Sequence, residues 1–324
     1  MYICEFLPRL NSISVNVEFN GEVSDITKVN ITGGVLSIIG KEKYEIILPI
    51  EGDFELSSIR KSSQLLNLSL KNQSSTIKTD NFMLTDLQWS CKDLLKTPKI
   101  DNKNCFKFIC KQCEEVIVDS DNRFNDMPSE LWAELMDLWH CHKPHNHDKH
   151  SKNYNGNLVP RDNQVIIGSY YLLANVPNVC KCGLTLGEIE ASHSKLMKWN
   201  LKLVYNDTVE DYPQYYYIYN KILDKINLSA VRKVVIGKYL VWIFNLGIDI
   251  SVEQQILSKS LKICYSEYQD KPIDEEIILN DEMLEVFYKE INRVHEKLPV
   301  NINSMLLKED DRPVMYKISY LGLQ

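Results

Sequence analysis

Apolar and polar residues alternate along the first hundred positions. Ile13-Ser14-Val15-Asn16-Val17-Glu18-Phe19 has the period of two expected of a half-buried strand. Val35–Ile39, Tyr44–Ile50 and Leu65–Leu70 repeat it, with breaks at Gly33-Gly34, Gly40 and Gly52-Asp53. Short strands between turn residues predict an antiparallel sandwich or open barrel over residues 1–100. A connection without periodicity follows, to about residue 104.

Further along, Phe106–Ile109 and Glu115–Val118 read as strands on either side of a turn, and Val165–Leu173 as one buried strand. Met127–Trp139 has helical spacing, with Pro128 and Glu130 in the first turn and Leu131, Leu135, Leu138 and Trp139 on one face. Lys143–Asn157 is polar without apolar rhythm and reads as a solvated loop, His145, His147 and His150 included. Leu196–Tyr205, Lys233–Phe244, Leu261–Tyr268 and Met315–Leu321 read as strands, and Asp281–Lys297 as a helix stopped by Pro299. The tyrosine-rich run from Tyr215 fits a helix or a strand. The whole pattern is α+β and β-dominated. It predicts a β-rich N-terminal domain (1–100), a Cys/His central region (105–190) and an α+β C-terminal domain (191–324).

Composition narrows the class. Hydrophobic content of 44% and charged content of 25% over 324 residues are those of a globular protein with a full core. A net charge of −7 argues against direct nucleic-acid binding. No apolar run reaches the roughly 20 residues of a membrane span, and Tyr239–Ile250 is broken by Asn245 and Asp249. The first residues show no basic n-region before an apolar run, so the expected location is nucleus and cytoplasm. Thiols stay reduced there, and closely spaced cysteines read as metal ligands rather than disulfides.

Two such groups stand out: Cys110-Lys111-Gln112-Cys113 and Cys180-Lys181-Cys182-Gly183. Each sits between strand patterns, as a zinc knuckle does. Together they supply the four soft ligands of a closed structural zinc site, Cys110, Cys113, Cys180 and Cys182. CxC is a less common spacing than CxxC, so Cys141 or His142, at the end of the predicted helix, is an alternative ligand. Metal hydrolase motifs of the HExxH or HxHxDH kind do not occur, nor does a glycine-rich phosphate loop followed by lysine.

The central window resembles the HECT-like ubiquitin-protein ligases that bind ubiquitin-conjugating enzymes and cyclin B. The matching features are Cys110-x-x-Cys113; Pro128-Ser129-Glu130-x-Trp132-x-Glu134-Leu135-x-Asp137-x-Trp139-x-Cys141-His142; Ile167-Gly168-Ser169-Tyr170; and Cys180-Lys181-Cys182 with Leu186-Gly187-Glu188. The chain departs from the pattern at His140, where a cysteine is expected, and at the CxC knuckle, so the fourth ligand stays open. The resemblance implies a ubiquitin-related role with a ubiquitin-conjugating enzyme as partner. Its fungal branch, which this Asn-, Lys- and Ile-rich chain looks like, implies pre-mRNA 3′-end cleavage and polyadenylation. The implied partner there is the metallo-β-lactamase-type endonuclease subunit. The expectation is a ubiquitin-ligase-like binding protein. The alternative is an active ligase carrying ubiquitin as a thioester on Cys141. A helix C-terminus is the wrong end of the dipole for a thiolate there, and Cys141 reads equally as a zinc ligand or a packed thiol.

Overall fold

The computed structural model describes residues 1–19, 23, 26–40, 43–73, 88–101, 103–127, 159–190, 192–268, 275–309 and 312–323. The fold is β-dominated. The chain groups into two compact units, Met1–Met83 with Lys225–Gln324, and Leu84–Asp224.

The first unit is built on a nine-stranded sheet. Its path runs Ser304–Glu309, Arg312–Leu323, Gln255–Glu267, Tyr239–Val252, Tyr2–Leu7, Ser12–Glu18, Leu65–Asn72, Phe54–Ser62, and Lys233–Ile236 pairs beside Tyr239–Val252. All these pairs are antiparallel. The strands predicted near the N-terminus alternate as expected: Ile13, Val15 and Val17 are buried and face Leu70, Leu68 and Leu66 across the ladder. A three-stranded sheet, Lys28–Thr32, Val35–Ile39 and Lys43–Ile47, adds Leu36, Ile38 and Ile46 to the same core. Each such side chain contributes about 1.5–3 kcal/mol by leaving water.

One ladder of this sheet joins the start of the chain to a late segment. Tyr2–Leu7 pairs antiparallel with Tyr239–Val252 in the register Ile3↔Val252 to Phe6↔Asp249. The helix Asp281–His295 belongs to this unit. Asn280 caps it by accepting from Met283 N–H at 2.9 Å, with Asp281 and Glu282 in the first turn and Arg293 and His295 in the last. It buries Met283, Phe287, Ile291 and Val294.

The second unit holds two larger sheets beside a two-stranded ladder of Lys99–Ile100 with Lys103–Asn104. One is antiparallel, in the order Val116–Asp119, Lys107–Cys110, Leu201–Tyr205, Thr208–Asp211. The other runs Arg123–Asp126, Gln164–Ile167, Tyr171–Ala174, His193–Met197, Gly187–Glu190; its first pair is parallel and the rest antiparallel. Phe106, Phe108, Phe124, Trp89 and Tyr212 form a chain of tilted and edge-on ring contacts, and Trp89 Nε1 donates to Glu210 at 3.0 Å.

Several predicted strands divide. Val165–Leu173 is a hairpin, Gln164–Ile167 and Tyr171–Ala174, closed by Gly168 N–H on Tyr171 O at 2.9 Å. Nearly every residue of the run is buried, so no alternation marks the turn. Leu196–Tyr205 is cut by a 3₁₀ turn, Lys198–Asn200. Lys233–Phe244 turns back at Gly237, and its second arm continues to Val252 through three register shifts. The tyrosine-rich run is helical, Tyr215–Ser229.

Candidate metal centre

Both cysteine pairs sit in tight turns of the second unit, the first at the end of a strand and the second closed by the isolated bridge Val179↔Thr185. Cys110 ends the strand Lys107–Cys110 and pairs with Leu201. The chain turns through Lys111-Gln112-Cys113, Glu114 takes positive φ (63°), and Glu114 N–H returns to Cys110 O at 3.0 Å. Cys110 N–H donates to Glu115 O at 2.8 Å, one residue before the strand Val116–Asp119. The second knuckle repeats this logic: Gly183 has φ 90°, Gly183 N–H returns to Cys180 O at 2.9 Å, and Cys180 N–H donates to Leu184 O at 2.9 Å.

The four cysteines meet. All four sulphurs lie within 4.8 Å of one another. Cys113 Sγ is 3.4 Å from Cys180 Sγ, and Cys110 Sγ is 3.8 Å from Cys182 Sγ. A disulfide needs about 2.05 Å. A tetrahedron of thiolates about 2.3 Å from a central zinc has sulphur–sulphur edges of about 3.8 Å. The cluster therefore fits a divalent ion with four-sulphur ligation. Cys110 and Cys180 are buried, and Cys113 and Cys182 face solvent.

The Glu115 backbone N–H and the Cys180 thiol favour the Cys113 thiolate, but desolvation and hydrogen bonds with Cys182 and Cys110 outweigh them and raise its pKa. Binding of a metal ion by cysteine sulphurs displaces their protons. Lys181 pairs with Glu115 across the knuckles; the carboxylate's hydrogen bond and charge hold its pKa up.

Asn200, which carries no ligand signature in the sequence, clamps the two turns. Its carbonyl accepts from Lys111 N–H at 3.0 Å, and its side-chain amide donates to Thr185 O at 3.2 Å and Leu186 O at 3.3 Å. It sits in the same 3₁₀ turn as Lys198, which is fully buried. Lys198 Nζ donates to Gly168 O at 2.7 Å, to Ser169 O at 3.2 Å and to Gln88 O. One short turn thus ties both knuckles to the hairpin at Gly168.

Cys141 and His142, the alternative ligand positions, lie outside the described residues, as do His140, His145, His147, His150 and the predicted helix beyond Met127. Three other cysteines are poor nucleophiles. Burial raises Cys4 far above the ordinary thiol value, desolvation and Asp126 push Cys91 up to about 11, and desolvation pushes Cys264 up to about 11.

Fold and site define a β-dominated protein with a four-cysteine cluster of metal-ligand geometry. The chain belongs to the HECT-like ubiquitin-conjugating enzyme (E2)-binding family, whose model matches residues 5–309. An uncharacterized protein of Saccharomyces cerevisiae is 28% identical over 343 residues, covering 94% of this chain and 96% of that one. An E3 ubiquitin-protein ligase of Mus musculus is 31% identical over 107 residues, 28% of this chain and 27% of that protein. No solved structure matches the chain. Family membership links the protein to ubiquitin-ligase-related function and to binding of ubiquitin-conjugating enzymes.

Proposed function

We propose that the protein is a ubiquitin-ligase-related binding protein that docks a ubiquitin-conjugating enzyme and carries a structural zinc on Cys110, Cys113, Cys180 and Cys182. The family match over residues 5–309 carries the first part, and the four convergent sulphurs carry the second. Four soft, charged ligands favour zinc among abundant divalent ions and leave no open position for a substrate. The ion staples two distant segments of the central region 105–190, between the β-rich 1–100 and α+β 191–324 stretches, and its binding energy is part of the folding energy.

The finer role follows from the resemblance to the fungal branch, which the near full-length yeast relative supports. In this reading the protein acts in pre-mRNA 3′-end cleavage and polyadenylation by binding the metallo-β-lactamase-type endonuclease subunit, in nucleus and cytoplasm. Pull-down with purified endonuclease subunit tests it: saturable, salt-sensitive binding is expected, and no binding sinks the partner assignment.

A second reading is favoured by the local match to a ubiquitin ligase. Here Cys141 takes ubiquitin from the conjugating enzyme. Its thiolate attacks the thioester carbonyl, a new Cys141 thioester forms, and the enzyme's cysteine leaves as thiolate. Single-turnover transfer from charged conjugating enzyme to wild type and Cys141→Ala, run beside zinc analysis, separates the readings. A thiol-sensitive adduct on wild type alone, with zinc retained in both, makes the protein a ligase. Zinc lost from Cys141→Ala makes Cys141 a ligand. Zinc retained with no adduct leaves a binding protein.

A further inference from the structure

Each exposed cysteine of the four-sulphur cluster lies against a buried one of the other turn. Cys113 faces solvent, and its sulphur is 3.4 Å from that of buried Cys180. Cys182 faces solvent, and its sulphur is 3.8 Å from that of buried Cys110. A disulfide in either pair needs the sulphurs to close to about 2.05 Å, a shift within reach of two surface turns. Either bond joins the same two turns that a shared metal ion joins.

These are the parts of a thiol switch: an accessible sulphur that an oxidant reaches, and a shielded neighbour that resolves the oxidised product. Metal ligation keeps cysteine sulphurs in the thiolate form, which is the nucleophile. Cys4 and Cys264 are the contrast. Both are buried, outside the cluster and held as thiols by desolvation. An oxidant therefore meets the cluster before it meets them.

We propose that the cluster is a peroxide-sensitive switch in which the cross-turn disulfides Cys113–Cys180 and then Cys110–Cys182 replace the metal. The proposal rests on the metal reading above and adds the regulation of that site. Hydrogen peroxide is the oxidant. The Cys113 thiolate attacks one peroxide oxygen; an S–O bond forms, the O–O bond breaks, and hydroxide leaves. The sulphur has then lost two electrons and is a sulfenic acid. The Cys180 thiolate attacks the Cys113 sulphur; the S–S bond forms, the S–O bond breaks, and a second hydroxide leaves. Two protons from solvent turn the two hydroxides into water. Two of the four ligands are then gone, and the remaining pair, Cys182 and Cys110, closes by the same steps with a second peroxide. The shorter approach and the exposed attacking sulphur put Cys113–Cys180 first. The two turns stay tied in both states, by the metal when reduced and by sulphur–sulphur bonds when oxidised.

The test uses the full chain, reduced, loaded with zinc, freed of reductant and treated with hydrogen peroxide. A chromogenic chelator follows zinc release, and mass spectrometry of unreduced peptides maps the disulfides. Zinc release is expected to keep pace with the Cys113–Cys180 bond, with Cys110–Cys182 appearing later. Both are expected at a rate about tenfold or more above oxidation of Cys4 and Cys264. Dithiothreitol followed by zinc is expected to restore the starting state. In Cys180→Ser, which lacks the resolving sulphur, dimedone is expected to trap a sulfenic acid on Cys113; the wild-type map carries the test if this variant does not fold. Bonds within a turn, Cys110–Cys113 or Cys180–Cys182, overturn the proposal. So do sulfinic or sulfonic acids in place of disulfides, and cluster oxidation no faster than that of Cys4. A chain that takes up no zinc sinks the metal reading instead, and with it the exchange of metal for disulfide, whatever bonds the map then shows.

Discussion

The two knuckles reach one geometry by different routes. The first spaces its cysteines by two residues and closes with Glu114 at φ 63°; the second spaces them by one and closes with Gly183 at φ 90°. In both, the residue after the second cysteine turns the chain back, and the N–H of the first cysteine ties to a carbonyl just beyond the turn, Glu115 or Leu184. Ligand spacing therefore does not by itself place the sulphurs. The turn residue absorbs the difference, at a backbone cost for glutamate that glycine does not incur.

The largest test of that equivalence is removal of a buried sulphur from each side. Cys110→Ser and Cys180→Ser are both expected to lose the metal and to lower the thermal midpoint of the second unit, and acid is expected to release the metal from wild type as protons recapture the thiolates. Elemental analysis and thermal unfolding at neutral and mildly acidic pH measure both. Full metal retention in either variant excludes that cysteine as a ligand. Asn200→Ala comes next: it keeps all four sulphurs but unties the turns. Metal affinity is expected to fall about 10–100-fold in chelator competition, as when other supporting groups of metal sites are lost.

The turn residues sharpen the comparison at smaller scale. Gly183→Ala has open space for its methyl group and only φ against it, so about 1–2 kcal/mol of destabilisation is expected. Glu114→Gly relieves the same strain and is expected to cost nothing or to stabilise slightly, by about 0.5 kcal/mol, in denaturant unfolding. A loss from Glu114→Gly larger than that from Gly183→Ala breaks the parallel. Smallest is Lys181→Ala. Its pair with Glu115 is solvent-exposed, and stability indistinguishable from wild type is expected in moderate salt.

The sulphur cluster was legible because two pairs of cysteines at short spacing, each within a turn pattern, suit soft-metal ligation. Asn200 was not legible. One asparagine supplies both a backbone carbonyl and an amide to the clamp, and neither leaves a spacing in the sequence. Lys198 misleads in the other direction, since lysine ordinarily marks a solvated position and here satisfies buried carbonyls. Among strands, Ser12–Glu18 could be read from its alternation because one face meets a core and the other does not. Tyr239–Val252 could not be followed past Phe244, because bulges near Asn245 and Ile248 reset which residues face inward. Its hairpin to Gln255 turns through Glu253 and Gln254, both at positive φ, where Asn-Gly is the usual signal.

The pairing of Tyr2–Leu7 with Tyr239–Val252 also sets an order of events on the ribosome. The opening strands are synthesised long before the strand that flanks them. At about 5–20 residues per second, roughly 12–46 s separate the two. Residues 84–224 emerge whole within that interval. The inserted unit can therefore fold first, while the opening hairpin Tyr2–Leu7 and Ser12–Glu18 keeps a bare edge exposed to the translating cell. Rapid translation of the insert would shorten the time that this edge stands open.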